Sequence, residues 1–411
     1  MLSKHAAGAS AAVALAAICA GAFVLDAALM RAMADQLHMN DFGKFYYSAR
    51  AFLDGRDMYA PSPATDLRFV EAAELRFLNM NPPHFHLLVL PLARLSPGLA
   101  VTIWIGLSLF ALVVSLLVIG REIGIQWTPV RALAAAAGTL AFAGTQSFFV
   151  TGQLSLLLLL ALTICWVAAR HDRWPLAAAL LGACLSIKPF LLIFLPYLLG
   201  TRRFRALTVT LVTAAGAILV GLLVFGPAAY ASWYRALAAS GDWAWTVMNA
   251  STFGFFRRAF DTQPIATPLV IAPALVRGWI AAAALVGIVT FIATIRDRAA
   301  GAIDRAFGLL LVAAQLISPL GWIYYLWLPA GPVAAAAFGS RPDGSRRPAA
   351  RGLAIAAAIG FAWPMPLLMA FQPHAWATLL VASIYFWATL ALWMWLLLDV
   401  HFRTTASDTS V

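Results

Sequence analysis

Long apolar runs recur along almost the whole chain, and short clusters of arginine separate them. A membrane-spanning helix needs about 20 predominantly apolar residues. Stretches of that kind fall at 8–30, 98–119, 131–148, 153–169, 206–225, 268–295, 305–319, 322–339, 352–371 and 375–398. Composition agrees: 63% of the 411 residues are hydrophobic and 11% are charged, whereas soluble domains carry about 25% charge. Such a chain cannot hide its apolar surface from water by folding on itself, so lipid must be its solvent. The first run, Ala6–Met30, is longer than the apolar core of a cleavable signal peptide and reads as a retained span.

The net charge is +11. The arginines lie in short groups between apolar runs, which is the pattern of the positive-inside rule and not of a nucleic-acid surface. Cys19, Cys165 and Cys184 all lie inside apolar runs. Three buried thiols make no disulfide framework and read as core fillers.

The strongest positive clusters are Arg170–Arg173, "TRRFR" at 201–205, "RDR" at 296–298 and "SRPDGSRRPAAR" at 340–351. Placing all four in the cytoplasm imposes parity on the runs between them. The stretch "WPLAAALLGACLSIKPFLLIFLPYLLG" must then go up and return as two short helices. Its reversal falls near Lys188-Pro189, because proline disfavours helix at the preceding residue. Residues 82–97 start and end on the outer side and read as a re-entrant or interfacial segment. The expectation is an all-α polytopic protein of about 12 spans with both termini inside. It forms a single membrane domain over 1–400, followed by a disordered tail at 401–411.

This topology collects four unusual stretches on the outer face. They are the loop 31–97, which carries "NDFGKFYYSARAFLDGRDMYAP", the turn "FVTGQLS" at 149–155, the loop 226–267 and "SPLGWIYY" at 318–325. Lys188 reaches the same face from below. Irregular backbone at membrane depth is tolerated where it is buried in protein or lines an aqueous cavity, so an outward-facing cavity is expected.

Each candidate has two readings. Asp41 is either a general base for a substrate hydroxyl or an N-cap for a helix over 42–53. Lys188 is either a phosphate contact or a lysine that snorkels to lipid headgroups. Gln153 and Ser155 either bond a sugar or satisfy carbonyls at a helix end. Arg257 and Arg258 either meet a lipid phosphate or are solvated loop charges. Trp322, Tyr324 and Tyr325 form an interfacial aromatic belt or stack on a sugar. His84 and His86 are two residues apart and so face different sides of a helix, which argues against zinc. "NAST" at 249–252 matches a glycosylation acceptor, a weak pattern. The sequence lacks GxxxxGK[ST], GxSxG, HExxH and CxxC, which argues against a built-in ATPase, an elbow-type hydrolase and the commonest zinc enzymes.

Six stretches in order resemble the family-87 glycosyltransferases. They are "DFGKFYYSARAFLDGRDMYAP", "NPPHFHLLVLPLARLSP", "GQLSLLLLLAL", "AALLGACLSIKPFLLIFLPYLLGTRRFRAL", "NASTFGFFRRAF" and "SPLGWIYYLWLP", and together they run from residue 38 to 335. The resemblance implies a GT-C-type membrane enzyme with outer-face loop helices. It implies a polyprenyl-phosphate-linked sugar donor, with mannose the known case, and inverting transfer on the outer face to a lipid or glycan acceptor. It implies the aspartate of the first outer loop, here Asp41, as base, and it implies no metal or other cofactor. The "IKP" lysine is Lys188, whose phosphate role is our inference, with Arg257 and Arg258 as further donor-phosphate candidates. Tyr46, Tyr47, Gln153, Asn249, Trp322 and Tyr324 are the candidate sugar or acceptor contacts. The expected location is the bacterial inner membrane, with the site facing the periplasm. Three departures stand out: Asn81-Pro82-Pro83 where many members have Tyr-Pro-Pro, Gln153-Leu154-Ser155 where many have Gln-x-Asn, and Tyr324 where a histidine often stands. A lipid or sugar transporter and a non-catalytic subunit of an envelope-polysaccharide pathway are the rival classes. A transporter should show inverted repeats, and none is evident.

Overall fold

The computed structural model describes residues 21, 40–65, 78–238, 243–263, 267–338, 348–365 and 374–408. The expected first span at 8–30 falls outside the described residues except for Gly21, and so does most of the arginine cluster at 340–351. Among the described residues the architecture is all helical, and the only extended pairing is an isolated bridge between Asn249 and Trp322.

Helix α1 covers Asn40–Leu53. Two 3-10 turns follow, Pro83–Leu88 and Leu92–Arg94, where the sequence indicated a re-entrant or interfacial segment. Then come α2 (Pro97–Glu122), α3 (Pro129–Ala141), α4 (Ala143–Thr151), α5 (Ser155–Arg170) and α6 (Trp174–Ile187). A 3-10 turn at Pro189–Ile193 leads into α7 (Phe194–Gly200), which confirms a break at Lys188. The chain continues through α8 (Phe204–Ala238), α9 (Thr252–Phe260), α10 (Gly278–Arg296) and α11 (Ala302–Ile317). A 3-10 turn at Ile323–Trp327 precedes α12 (Ala330–Phe338), α13 (Pro348–Phe361), α14 (Ala375–Leu380) and α15 (Ile384–Asp408).

Against the expected count of about 12 spans, four helical stretches among the described residues are long and apolar enough to cross a membrane: Pro97–Glu122, Phe204–Ala238, Pro273–Arg296 and Ala375–Val400. The pair α3–α4, bent by 59°, makes a fifth if it is one span. Among the described residues, other expected spans are shorter apolar helices, such as α5 and α6, or are broken. The run at 322–339 is a 3-10 turn followed by a nine-residue helix. A purely hydropathic reading cannot see such breaks, because apolar 3-10 turns and apolar helix look alike. The last helix runs on to Asp408, past residue 400, where the sequence reading began a disordered tail.

In lipid the burial of apolar area gives little drive for helices to associate, so close backbone approach and interhelical hydrogen bonds matter more. The α6–α8 contact uses both. Gly182 lies so close to α8 that a Cβ there would clash with the Thr210 carbonyl oxygen. Thr210 Oγ1 donates to Ala178 O at 3.2 Å. Within α8, Gly226 adopts φ 75, ψ 166 immediately before Pro227 and breaks the helix. That conformation is nearly reserved for glycine, and it ends the straight part where the expected span 206–225 ends.

Three helices link two polar ends of the molecule. α5 runs from the turn holding Gln153 to Arg170, α6 runs from Trp174 to Lys188, and α11 runs from Asp304 and Arg305 toward 318–325. At 1.5 Å per residue each is roughly 20 Å or more in length. At one end Arg170 pairs with Glu122 at 2.7 Å and with Asp304 at 2.9 Å, and Trp166 Nε1 donates to Asp304 at 2.9 Å. At the same end Arg305 grips Asp297 through two bonds of 2.6 and 2.8 Å. The sequence clusters around 170, 201 and 296 are thus joined at this end, where Arg203 also pairs with Asp172 at 3.7 Å.

Candidate active site

The opposite end is built by α1, the turn after α4, the break after α6 and the 3-10 turn at 323–327. Asp41 lies inside helix α1, whose described residues begin at Asn40, and not ahead of a helix over 42–53 as its cap. Phe42 and Phe45 pack against Trp104 with ring centroids 5.3 and 6.0 Å apart, and Phe45 meets Phe85 edge-on at 4.9 Å. Trp104 Nε1 in turn donates to Gly152 O at 2.8 Å. Gly152 ends α4 in the left-handed conformation, φ 69, a common helix stop. This aromatic clamp therefore sets α1 against the residue after Gly152, which is Gln153.

Gln153 Nε2 donates to Asp41 Oδ2 at 2.9 Å, and Lys44, one turn along α1, forms an ion pair with Asp41 Oδ1. Gln153 Oε1 accepts from Tyr325 Oη at 3.3 Å and from its neighbour's backbone, Leu154 N, at 3.2 Å. The Tyr325 ring lies 5.2 Å from Lys188 Nζ, in cation–π range. Lys188 also donates to Asn81 Oδ1 at 2.7 Å. Tyr324 packs edge-on to Tyr325 at 4.8 Å and stacks on Trp322 at 6.2 Å. Asp41 and Lys188, distant in sequence, thus belong to one polar cluster joined through Gln153 and Tyr325, with Asp41 buried and Lys188 half-buried.

The structure brings Asp41, Gln153, Lys188 and Tyr324 together, with Trp322 beside them. Other candidates take different positions. Tyr46 donates its hydroxyl to Leu95 O at 2.8 Å and meets Tyr47 edge-on at 5.3 Å, so it ties α1 to the turn at Leu92–Arg94. Asn249 Nδ2 donates to Ala244 O at 2.8 Å and Pro319 O at 2.9 Å, and its Oδ1 accepts from Gly321 N at 2.9 Å. It holds the 319–322 backbone that presents Trp322 and Tyr324. Arg258 is 1% exposed and donates to Thr246 O at 2.7 Å, Asn249 O at 3.1 Å and Ser383 Oγ at 3.0 Å. Arg257 pairs with Asp261 at 3.0 Å. These contacts hold Arg258 against the loop carbonyls and Ser383 through its Nη1 and Nε, while its Nη2 has no hydrogen-bond partner among the described residues. An arginine next to an aromatic run gives no sequence signal of which carbonyls it will cap.

Lys44 and Asn81 are not among the site residues that the sequence indicates, and Tyr325 is read there only as a belt or sugar-stacking ring. The Asp41–Lys44 spacing, i to i+3, is a readable ion-pair signal. The contacts of Asn81 and Tyr325 with Lys188 become visible through tertiary structure alone. His84 and His86 diverge as their spacing indicated: His84 faces Tyr230 and Ser186 O, and His86 faces Asn79. Among the described residues no group of three or more His, Cys, Asp or Glu side chains is placed to hold a metal ion.

A helical membrane protein with a buried carboxylate and a half-buried ammonium gathered at one end, among aromatic rings, is the class that these features define. The model of glycosyltransferase family 87 matches residues 79–319, more than half of the chain, and the chain belongs to that family. Asp41 lies ahead of the matched region. A curated relative is the polyprenol-phosphate-mannose-dependent alpha-(1-2)-phosphatidylinositol pentamannoside mannosyltransferase of Mycobacterium tuberculosis (strain CDC 1551 / Oshkosh). It is 29% identical over 247 residues, which cover 56% of this chain and 51% of the relative. The chain thus spans about half the length of that relative. No solved structure matches.

Proposed function

We propose that this protein is an integral-membrane glycosyltransferase. It moves a hexose, mannose or a close relative, from a polyprenyl-phosphate donor to a lipid or glycan acceptor, with inversion. The carrying observation is the union of Asp41 and Lys188 through Gln153 and Tyr325. Family membership and the mannosyltransferase relative support the donor class.

In the reaction, the acceptor hydroxyl gives its proton to the Asp41 carboxylate as its oxygen attacks the anomeric carbon. The bond from that carbon to the phosphate oxygen breaks, and its electron pair leaves with the phosphate. Lys188, a compact cation on a fixed turn, stabilises the charge that develops there. Gln153 and Lys44 hold the two carboxylate oxygens and so orient the base. Tyr324 and Trp322 offer stacked ring faces to the sugar. A long prenyl chain requires an apolar groove in the bilayer, which gives a transferase a reason to be 63% hydrophobic. The site faces the periplasm of a bacterial inner membrane in this reading.

The test is transfer from radiolabelled polyprenyl-phosphate sugars to an envelope lipid extract by the purified protein. Turnover that disappears in Asp41→Asn while donor binding persists is expected. Absence of transfer from every donor sinks the proposal, and unchanged cellular glycan assembly in Asp41→Asn points instead to a scaffold subunit.

A further inference from the structure

Asn79, Asn81 and His86 are 4%, 3% and 0% exposed. Burying three polar side chains together is costly unless each finds a partner, and here their partners fix the direction of every bond. His86 Nδ1 lies 3.2 Å from Pro82 O and 3.3 Å from Pro83 O. Carbonyl oxygens only accept, so Nδ1 carries the proton. Burial lowers this imidazole's pKa to about 4, so at neutral pH Nε2 is bare and accepts. Its donor is Asn79 Nδ2 at 2.8 Å, and the same amide nitrogen donates to Ser48 Oγ at 2.8 Å. Asn79 therefore turns its oxygen toward residue 81, where it accepts from Asn81 N at 3.1 Å and Asn81 Nδ2 at 3.3 Å. With its nitrogen engaged there, Asn81 must present its oxygen to Lys188 Nζ, 2.7 Å away.

We propose that His86 is a positioning residue for Lys188: its single tautomer, passed through the amides of Asn79 and Asn81, guarantees that the lysine meets an acceptor. A reversed Asn81 amide would set an NH2 against the ammonium. The bond to Asn81 occupies one of the three N–H groups, and the Tyr325 ring flanks the head, so the remaining donors are aimed in a set direction. His84 secures the same turn from the other side, since its Nε2 lies 3.1 Å from Ser186 O, two residues before Lys188. The inference rests on the reading that Lys188 contacts the donor phosphate.

The test uses the full-length protein in detergent, with polyprenyl phosphate as the binding probe and thermal unfolding recorded for every variant. Lys188→Ala weakens binding of the probe by roughly tenfold or more, the scale of a lost charge-assisted bond. His86→Phe and Asn81→Leu each weaken it by about tenfold in the native background and add almost nothing once Lys188 is alanine. His86→Gln, which can still donate to the carbonyls and accept from Asn79, restores most of the affinity. Should His86→Phe fail to fold, Asn81→Leu carries the same comparison. Losses that are equal with and without Lys188, or unchanged binding in His86→Phe and Asn81→Leu while Lys188→Ala is weak, overturn the positioning role and leave the Lys188 reading intact. Unchanged binding in Lys188→Ala, or no binding by the native protein, overturns the Lys188 reading and this inference together.

Discussion

At the residue scale, Asp41 carries two partners, and the base and its orienting groups are separable. Asp41→Asn removes the proton acceptor but keeps the shape, and the expected loss of turnover is about 10²–10⁴-fold. Residual turnover near the native rate would refute the assignment. Tyr325 offers a sharper distinction, because its hydroxyl bond to Gln153 is long at 3.3 Å while its ring lies under Lys188. Tyr325→Phe keeps the ring face and should cost less than about tenfold, whereas Tyr325→Leu removes the cation–π contact and should cost more. Equal losses in the two variants would show that the ring face contributes nothing. The two histidines predict a pH effect on stability. Burial lowers His84 and His86 from 6.5 to about 4 each. Their folded pKa values lie below the unfolded ones, so this stability is complete above about pH 6.5 and is lost as the pH falls toward 4. Unfolding temperatures in detergent should fall between pH 7 and pH 5, and a flat profile across that window would contradict the assignment.

At the element scale, the helices depend on close approach. Gly182→Val would drive a side chain into the Thr210 carbonyl and part α6 from α8. Overpacking of this kind costs about 1–3 kcal/mol, readable as a lower unfolding temperature. Because α6 ends at Lys188, donor binding should weaken too; a Gly182→Val protein with native stability would mean that the two helices can separate freely. Gly226→Ala tests the other device, since φ 75, ψ 166 strains any residue with a Cβ. Much of this level was readable in the sequence. The Pro-marked break at Lys188, the C-terminal ends of α2 and α10 and the stop before Gly226-Pro227 all follow from local chemistry. The breaks at Phe142 and at 323–327 did not, because uninterrupted apolar sequence is compatible with a straight span, and neighbouring elements decide whether it bends.

At the scale of the whole molecule, the polar groups divide between two ends connected by α5, α6 and α11. The Arg305–Asp297 pair is almost fully buried, with side chains 2% and 1% exposed. Arg305→Met leaves an uncompensated buried carboxylate, a change that costs about 3–5 kcal/mol. Global stability should drop while polyprenyl phosphate affinity in the surviving folded protein holds. Sidedness has its own measurement. A cysteine at Asp172, whose side chain is 89% exposed, should react with an impermeant maleimide from the cytoplasmic side alone. One at Arg56, with its side chain 67% exposed, should react from the outside alone. Labelling of both from one side would remove the topology.

Hydropathy and the spacing of arginines determined that this chain is helical, lives in lipid and sorts its charges into clusters, because the cost of placing charge in hydrocarbon leaves few alternatives. Sequence motifs singled out Asp41, just past the first apolar run, and Lys188, at the reversal of a later one. Their meeting through Gln153 and Tyr325, the contacts of Arg258 with loop carbonyls, and the amide chain from His86 to Lys188 were decided by tertiary structure. A hydrogen bond between residues a hundred positions apart leaves no local trace in sequence, since either partner could equally have been satisfied by its neighbours or by water.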